Sequence, residues 1–203
     1  MFGKKEVKNV SNSHSTTIIT DCIEIKGNVK GCGTIHIDGK IYGDIDVEES
    51  VIIGEKGVVF GNVKSQKVMV AGVLKGSLIC SDLEVMSKGH VSDSIKARTI
   101  VSDGTLEADI LAEEHIHITD NGKVTGTKVQ SKTIVVNGAI KGNVVATQLL
   151  EIDKNGLVEG NMTVKNIKTQ EGGRMLGAMS TYMEITTKKA PEVKKEEVKN
   201  DKK

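Results

Sequence analysis

Histidine and cysteine are the side chains of this 203-residue sequence best suited to acid–base or metal chemistry, with five histidines and three cysteines in all. His115 and His117 alternate around Ile116, so on a β-strand both imidazoles face away from the apolar side. Such a pair could supply two zinc ligands, and a third would have to come from a neighbouring segment. The competing interpretation, a solvated strand face, is the one we expect.

The acidic side chains and the cysteines point no more strongly to catalysis. Several carboxylates occupy the outward positions of alternating runs, namely Asp38, Asp44, Asp46 and Glu48. Neither a paired-carboxylate site nor an arrangement of Ser, His and Asp stands out. The cysteines are Cys22, Cys32 and Cys80, an odd number without a CxxC motif, which is typical of a reducing compartment. We therefore expect no enzyme, no cofactor and no resident metal.

Composition excludes further classes of function. Aromatic residues make up 2% of the chain and tryptophan is absent, so few bases could stack on it and we expect no nucleic-acid partner. No secretory signal opens the sequence, and its apolar runs are too short to span a bilayer. The net charge is +1, but both ends are basic and the body between them is mildly acidic.

A glycine repeat organises the chain. Ten glycines fit the pattern Gly-x-apolar-x-small-x-apolar, namely Gly27, Gly39, Gly57, Gly72, Gly89, Gly104, Gly122, Gly138, Gly156 and Gly173. An apolar residue follows two positions after every one of them, and a second glycine follows four positions after eight of the ten. Short alternating runs such as Ile134-Val135-Val136 precede most of these units and read as strands with one buried face.

Repeats of this length predict a β-solenoid, in which stacked coils bury an apolar core that one coil could not bury alone. The spacing between units is 12 residues at the first step and 15 to 18 residues afterwards. We predict an all-β, right-handed parallel β-helix of about ten short coils over residues 17–185, roughly 45–50 Å long. The glycines would turn its corners, where they reach positive φ without steric cost.

The flanking residues differ from the repeat in composition. Residues 1–16 and 186–203 are polar or Lys/Glu-rich, and we predict that both tails are disordered. Met175, Met179 and Met183 recur at helical spacing, so they mark either a short terminal helix or a last, loose coil.

One other solenoid class competes with this interpretation. Left-handed hexapeptide solenoids have an almost rigid 18-residue coil, and many of them are acyltransferases with a catalytic histidine. The variable coil length and the two-residue apolar steps favour the right-handed form. The alternative functions are therefore a hexapeptide-type acyltransferase or a monomeric adaptor.

The ends of the predicted solenoid are candidate polymerisation interfaces. End coils expose unpaired strand edges and a slice of open core unless a cap covers them. No capping helix is apparent before residue 17, and the tail after residue 186 is too polar to cover an apolar face. The predicted interface residues are Ile18, Ile19, Ile23 and Ile25 at one end and Met175, Met179, Met183 and Ile185 at the other.

The opening coils resemble those of bactofilins. The resemblance rests on three segments, which are Ile35-His36-Ile37-Asp38-Gly39-Lys40-Ile41-Tyr42-Gly43-Asp44-Ile45, Val51-Ile52-Ile53-Gly54-Glu55-Lys56-Gly57-Val58-Val59-Phe60-Gly61-Asn62-Val63 and Val70-Ala71-Gly72-Val73-Leu74-Lys75-Gly76. It is strongest over residues 17–80 and continues as the bare repeat to residue 180. The chain has more coils than is typical of that family and lacks the usual Pro-rich tails.

The resemblance implies a bacterial cytoskeletal protein with a right-handed β-helical core. Such proteins polymerise with themselves, end to end and without nucleotide, into filaments that lack polarity. They lie in the cytoplasm, peripheral to the inner membrane, and position cell-wall or cell-shape proteins. Many carry an N-terminal membrane-targeting segment, and Met1, Phe2, Lys4 and Lys5 match its description.

Overall fold

The computed structural model describes residues 15–183, which form one continuous stack of 21 parallel β-strands. The first twelve strands are short, namely β1 (Thr16–Ile19), β2 (Glu24–Lys26), β3 (Val29–Gly31), β4 (Thr34–Ile37), β5 (Lys40–Tyr42), β6 (Ile45–Val47), β7 (Ser50–Ile53), β8 (Val58–Phe60), β9 (Val63–Lys64), β10 (Lys67–Val70), β11 (Val73–Lys75) and β12 (Leu78–Ile79). Longer strands then follow, which are β13 (Asp82–Val85), β14 (His90–Ser102), β15 (Thr105–Ile118), β16 (Lys123–Val136), β17 (Ala139–Ile152), β18 (Leu157–Glu159), β19 (Met162–Thr169), β20 (Arg174–Leu176) and β21 (Met179–Thr181).

The strand register defines a three-sided solenoid of ten coils. The first face begins with β1 and repeats every coil to residues 166–169 of β19. The second face begins with β2 and ends with β20. The third face begins with β3 and ends with β21. The all-β solenoid of about ten turns is confirmed, and its right-handed sense stays a prediction.

The core is a set of stacked aliphatic columns, one side chain above another from coil to coil. On the second face a single inward column holds Ile41, Val59, Leu74 and Val91, each with no exposed surface. The first face supplies two inward positions per coil and the third supplies one large and one small. The small column includes Ala97, Ala112, Ser131 and Ala146, which stack in register.

One glycine column lies at the corner between the first and second faces, and its role differs from our prediction. A Cβ on Gly72 would lie under 3.0 Å from the carbonyl oxygens of Gly54 and Gly57 in the preceding coil. The same conflict with a preceding carbonyl recurs at Gly57 and Gly138. Since the φ of these residues is not positive, it is the close approach of successive coils, and not φ, that requires glycine here.

A second glycine column lies at the corner between the second and third faces, and here positive φ is the reason. Gly43, Gly61, Gly76 and Gly142 have φ between 138° and 153°. Gly27 belongs to this column, because Lys26 pairs with Tyr42. Our frame for the first unit was therefore wrong: the 12-residue step compares two different corners, and Ile23 takes the glycine position of the first coil.

Side chains at the same corner form a hydrogen-bonded ladder along the rod. The Asp44 backbone N–H donates to Asn28 Oδ1 at 2.9 Å, and the Asn62 backbone N–H donates to Asp44 Oδ1 at 2.8 Å. The Ser77 N–H donates in turn to Asn62 Oδ1 at 3.2 Å. These bonds satisfy backbone donors where the chain bends out of the strand ladder.

The corner between the first and second faces alternates in length. It has four residues in the first coil (Thr20–Ile23), two in the second (38–39), four in the third (54–57) and two in the fourth (71–72). The alternation runs through coil nine, and coil ten again has four residues. It accounts for most of the variation in coil length that the sequence shows.

Ion pairs join the long corners across the short ones. Lys56 Nζ lies 2.8 Å from Asp21 Oδ2, and Lys88 Nζ lies 2.8 Å from Glu55 Oε2. The hydrogen bond from Lys56 lowers the pKa of the Asp21 carboxyl, and the same bond raises the pKa of Lys56. These pairs are exposed, so each contributes little to stability.

Candidate assembly surfaces at the two ends of the solenoid

The first coil presents isoleucines in three different settings. Ile19 points inward and is 6% exposed, and Ile25 is half-buried against the same core. Ile18 points outward from the first face, opposite His36 of the next coil, and is 66% exposed. Ile23 stands at the corner and is 45% exposed. The four predicted residues lie in one coil, but only Ile23 and Ile18 expose much of their side chains.

The last coil presents core positions without a core above them. Met175 pairs with Val158 and Met179 with Met162, so both methionines continue inward columns. They are 41% and 58% exposed, whereas Val158 and Met162 beneath them are buried. Leu176 and Met183 add further exposed apolar surface. Met175 and Met179 lie in strands, which resolves our alternatives in favour of a last coil, and Ile185 lies outside the described residues.

Both end coils also leave backbone groups unpaired. Within residues 15–183, no strand pairs with the outer edge of the first coil or of the last. Free strand edges are templates for pairing with another chain. Each end of the rod therefore combines an open edge with apolar side chains, which is the chemistry of an association surface.

The two ends differ in whether a parallel coil could be stacked on them. From the second coil onward every coil places glycine where Gly39, Gly57 and Gly72 stand, since a Cβ there would collide with the coil before it. The first coil has Ile23 at that position. A copy whose last coil met this first coil in the register of the solenoid would collide with the Ile23 side chain.

The described histidines and cysteines lie in several different coils. His115 and His117 are exposed on the first face, pointing outward as predicted. His36 Nε2 lies 3.1 Å from Asp38 Oδ2, and His90 is 3.7 Å from Glu107. No group of three or more His, Cys, Asp or Glu side chains suited to a metal occurs within residues 15–183.

All three cysteines are free thiols, and two of them lie in the first coil. Cys22 and Cys32 are exposed there, at two different corners. Cys80 is half-buried in the small column of the third face, where burial and the nearby Asp82 carboxylate raise the pKa of its thiol to about 12. A thiol with so high a pKa is a poor nucleophile near neutral pH.

The predicted membrane-targeting residues Met1, Phe2, Lys4 and Lys5 lie outside the described residues, as do most of both predicted tails. Among residues 15–183 there is no helix that could cross a membrane.

One protein-family model matches nearly the whole length of the solenoid. The family model described as "Bactofilin: Polymer-forming cytoskeletal" matches twice, at residues 17–103 and 97–180. The two matches overlap inside β14, where the coil stack continues without a break.

Two curated relatives match parts of the chain, both from Myxococcus xanthus (strain DK1622). Bactofilin BacO is 33% identical over 92 residues, which cover 44% of this chain and 73% of BacO. Bactofilin BacP is 28% identical over 106 residues, 51% of this chain and 44% of the length of BacP. No solved structure matches.

Proposed function

The chain belongs to the bactofilin family of polymer-forming cytoskeletal proteins, and from this premise we propose that it is a structural protein whose solenoids join end to end into filaments. Assembly needs no nucleotide, because the apolar ends and open strand edges supply its driving force. The filaments lie at the inner face of the cytoplasmic membrane and hold cell-wall or cell-shape proteins in place.

The observation that carries this proposal is the open core of the last coil. Met175 and Met179 continue buried columns and yet keep 41% and 58% of their surface exposed. Covering the part of each side chain that is still exposed contributes about 1 kcal/mol. An end-to-end contact would cover both methionines, together with Leu176, and would pair the free strand edge at the same time.

The first coil supports contacts between like ends. Ile23 obstructs the parallel continuation of one rod onto the next, which removes the head-to-tail arrangement in the register that the solenoid itself uses. Contacts between two first coils and between two last coils are isologous and related by a two-fold axis. A filament built from alternating contacts of these two kinds has no polarity.

Negative-stain electron microscopy of the purified full-length protein, without nucleotide or metal, tests assembly. We expect filaments from the unmodified protein and none from Met179→Lys, because the substitution places a charge in the contact between last coils. Circular dichroism should show unchanged β content in the variant. In the native cell the same variant should lose the scaffolding role, visible as altered cell shape.

Leu111→Lys is the matched control. Leu111 is an outward residue of the third face in the sixth coil and is 42% exposed, so the chemical change is the same but its position is remote from both ends. Filaments that survive Met179→Lys, or that are lost equally in Leu111→Lys, would refute the end contact.

Membrane attachment is proposed for Met1, Phe2, Lys4 and Lys5. One inserted aromatic ring and a few lysines give weak affinity for an anionic bilayer, but a filament presents many copies and binds with avidity. Deleting residues 1–5 should move filaments from the floating vesicle fraction to the bottom fraction when they are centrifuged with anionic vesicles in a density gradient. Equal flotation of both proteins would remove these residues from the proposal.

A further inference from the structure

A cleft of about 750 Å³ lies on the corner between the third and first faces. At the ends of coils three, four and five one residue, Gln66, Ser81 or Arg98, lies between the small-column position of the third face and the next strand of the first face. At the ends of coils two and six this corner has two residues, the acidic pairs Glu48–Glu49 and Glu113–Glu114. The tight corners form the floor of the cleft, and Glu49 and Glu113 of the acidic pairs line its two rims.

Both rims are held in the same way by a serine of the following coil. Ser65 Oγ donates to the Glu49 carbonyl at 3.1 Å, and Ser131 Oγ donates to the Glu114 carbonyl at 3.0 Å. Both serines are buried in the small column of the third face. The rims are therefore fixed parts of the solenoid, separated by four coil steps, or about 19 Å.

The floor between the rims carries three cationic side chains beside the Asp82 carboxylate. Lys67, Lys96 and Arg98 line it. Arg98 is 3.5 Å from Asp82, and Lys67 is 3.8 Å from Glu84. A chain that fills the cleft must therefore present positive charge at two points about 19 Å apart and accommodate cations between them.

The described chain ends on this same corner. After β21 the Tyr182 N–H donates to the Val164 carbonyl at 2.9 Å, which places Tyr182 at the junction of the third and first faces of coil ten. From there the rim at coil six is four coil steps away, again about 19 Å. Six extended residues span about 20 Å, so a chain turning back along the corner reaches that rim at residue 188.

The sequence from that residue matches the charges of the cleft. Residues 188–195 read Lys-Lys-Ala-Pro-Glu-Val-Lys-Lys. The two lysine pairs are six residues apart, about 20 Å in extended form, and Glu192 stands between them. A proline favours an extended backbone in the residue before it, which suits Ala190 to a groove-bound chain.

We propose that residues 188–195 dock back into this cleft in the same molecule, with Lys188–Lys189 at Glu113–Glu114, Glu192 over the cationic floor and Lys194–Lys195 at Glu48–Glu49. The docked segment runs along one corner of the rod and leaves the end coils uncovered. The attachment is electrostatic and exposed, so raising the salt concentration releases it. Docking makes the basic segment unavailable to other anionic surfaces, and release makes it available.

Zero-length carbodiimide crosslinking of the full-length protein, followed by peptide mapping, tests the docking. We expect crosslinks from Lys188 or Lys189 to Glu113 or Glu114, and from Lys194 or Lys195 to Glu48 or Glu49. Asp120, an exposed carboxylate at a different corner, should not be crosslinked to this segment. Crosslinks spread evenly over surface carboxylates, Asp120 included, would overturn the proposal.

Charge exchange tests the pairing itself. Glu48→Lys with Glu113→Lys should reduce the crosslinks to Glu49 and Glu114, which keep their carboxylates, about tenfold, because like charges now stand beside them. Adding Lys189→Glu and Lys195→Glu should restore crosslinks between the exchanged positions. If the crosslinks do not return, the charges of the cleft do not determine that this segment binds there, and the proposal is overturned.

Isotope mixing separates this proposal from docking between molecules. Protein labelled with ¹⁵N is mixed with unlabelled protein before crosslinking, and docking within one molecule gives crosslinked peptides of a single isotope. Mixed pairs in statistical amounts would assign the cleft to a neighbouring copy and overturn the proposal. None of these readouts depends on filament formation, so docking and end-to-end assembly stand or fall separately.

Discussion

The first and last coils are built from the same repeat, but they depart from it in opposite ways. The first coil replaces the corner glycine with Ile23 while Ile19 and Ile25 stay close to the core. The last coil keeps both corner glycines, Gly173 and Gly177, and leaves its inward methionines uncovered.

The difference separates two requirements of a growing stack. Backbone clearance decides whether another coil can approach, and exposed core decides how much is gained when it does. The last coil satisfies both requirements, whereas the first coil offers an apolar edge with its parallel approach obstructed by Ile23. This difference between the two ends is enough by itself to favour contacts between like ends.

The largest effect should come from filling the glycine column inside the rod. We expect Gly72→Ala to lower the free energy of unfolding by about 2–3 kcal/mol, since its Cβ would collide with two backbone carbonyls that cannot move independently. Ile23→Ala in the first coil should change it by less than about 1 kcal/mol. Denaturant unfolding followed by circular dichroism measures both, with Met179→Lys in all samples to prevent filament growth and at one fixed protein concentration.

Similar losses at the two positions would contradict the comparison. They would mean that the corner glycine is not set by the approach of the preceding coil, and Ile23 would then no longer argue against parallel stacking of rods.

A second prediction concerns which ends of the solenoid meet in the filament. The variants that test it should keep the stability of the solenoid unchanged. Cys22 and Cys32 both lie in the first coil, and residues 166–203 contain no cysteine. In a Cys80→Ala background, a bifunctional maleimide should therefore join molecules into covalent dimers and no longer products. Met179→Lys should keep these dimers, because only the contact between last coils is broken.

Removing the thiols with Cys22→Ser and Cys32→Ser is the control for reagent specificity. Filaments that give no covalent dimer, together with a monomeric Met179→Lys protein in light scattering, would favour head-to-tail contacts instead.

Much of the architecture could be predicted because the repeat is local. The positions after each glycine identify Ile41, Val59 and Leu74 as core, and alternation alone places His115 and His117 outside. The strand alternation and the coil length fix a parallel stack of about ten turns. Each of these inferences needs only the residue type and its distance from the nearest glycine.

What could not be predicted depends on relations between coils. The reason for glycine at residue 72 is the position of carbonyls 15 and 18 residues earlier, which no propensity contains. The frame at Gly27 failed for the same reason, since two corners of one coil look alike in sequence. The pair Lys56–Asp21 and the cleft floor at Ser81 likewise arise only from register, and the roles of the end residues remain predictions.

The alternating corner gives the rod a parity. Its structural unit along that edge is a pair of coils, because the long corners of coils three and five each reach over a short corner to the preceding long corner, as Lys88 does to Glu55. Removing one coil would bring two long corners together and displace every such contact beyond that point, whereas removing two would leave them intact. The length of a rod of this kind can therefore change most readily in steps of two coils, about 10 Å each. The alternation ends at coils nine and ten, whose corners are both long.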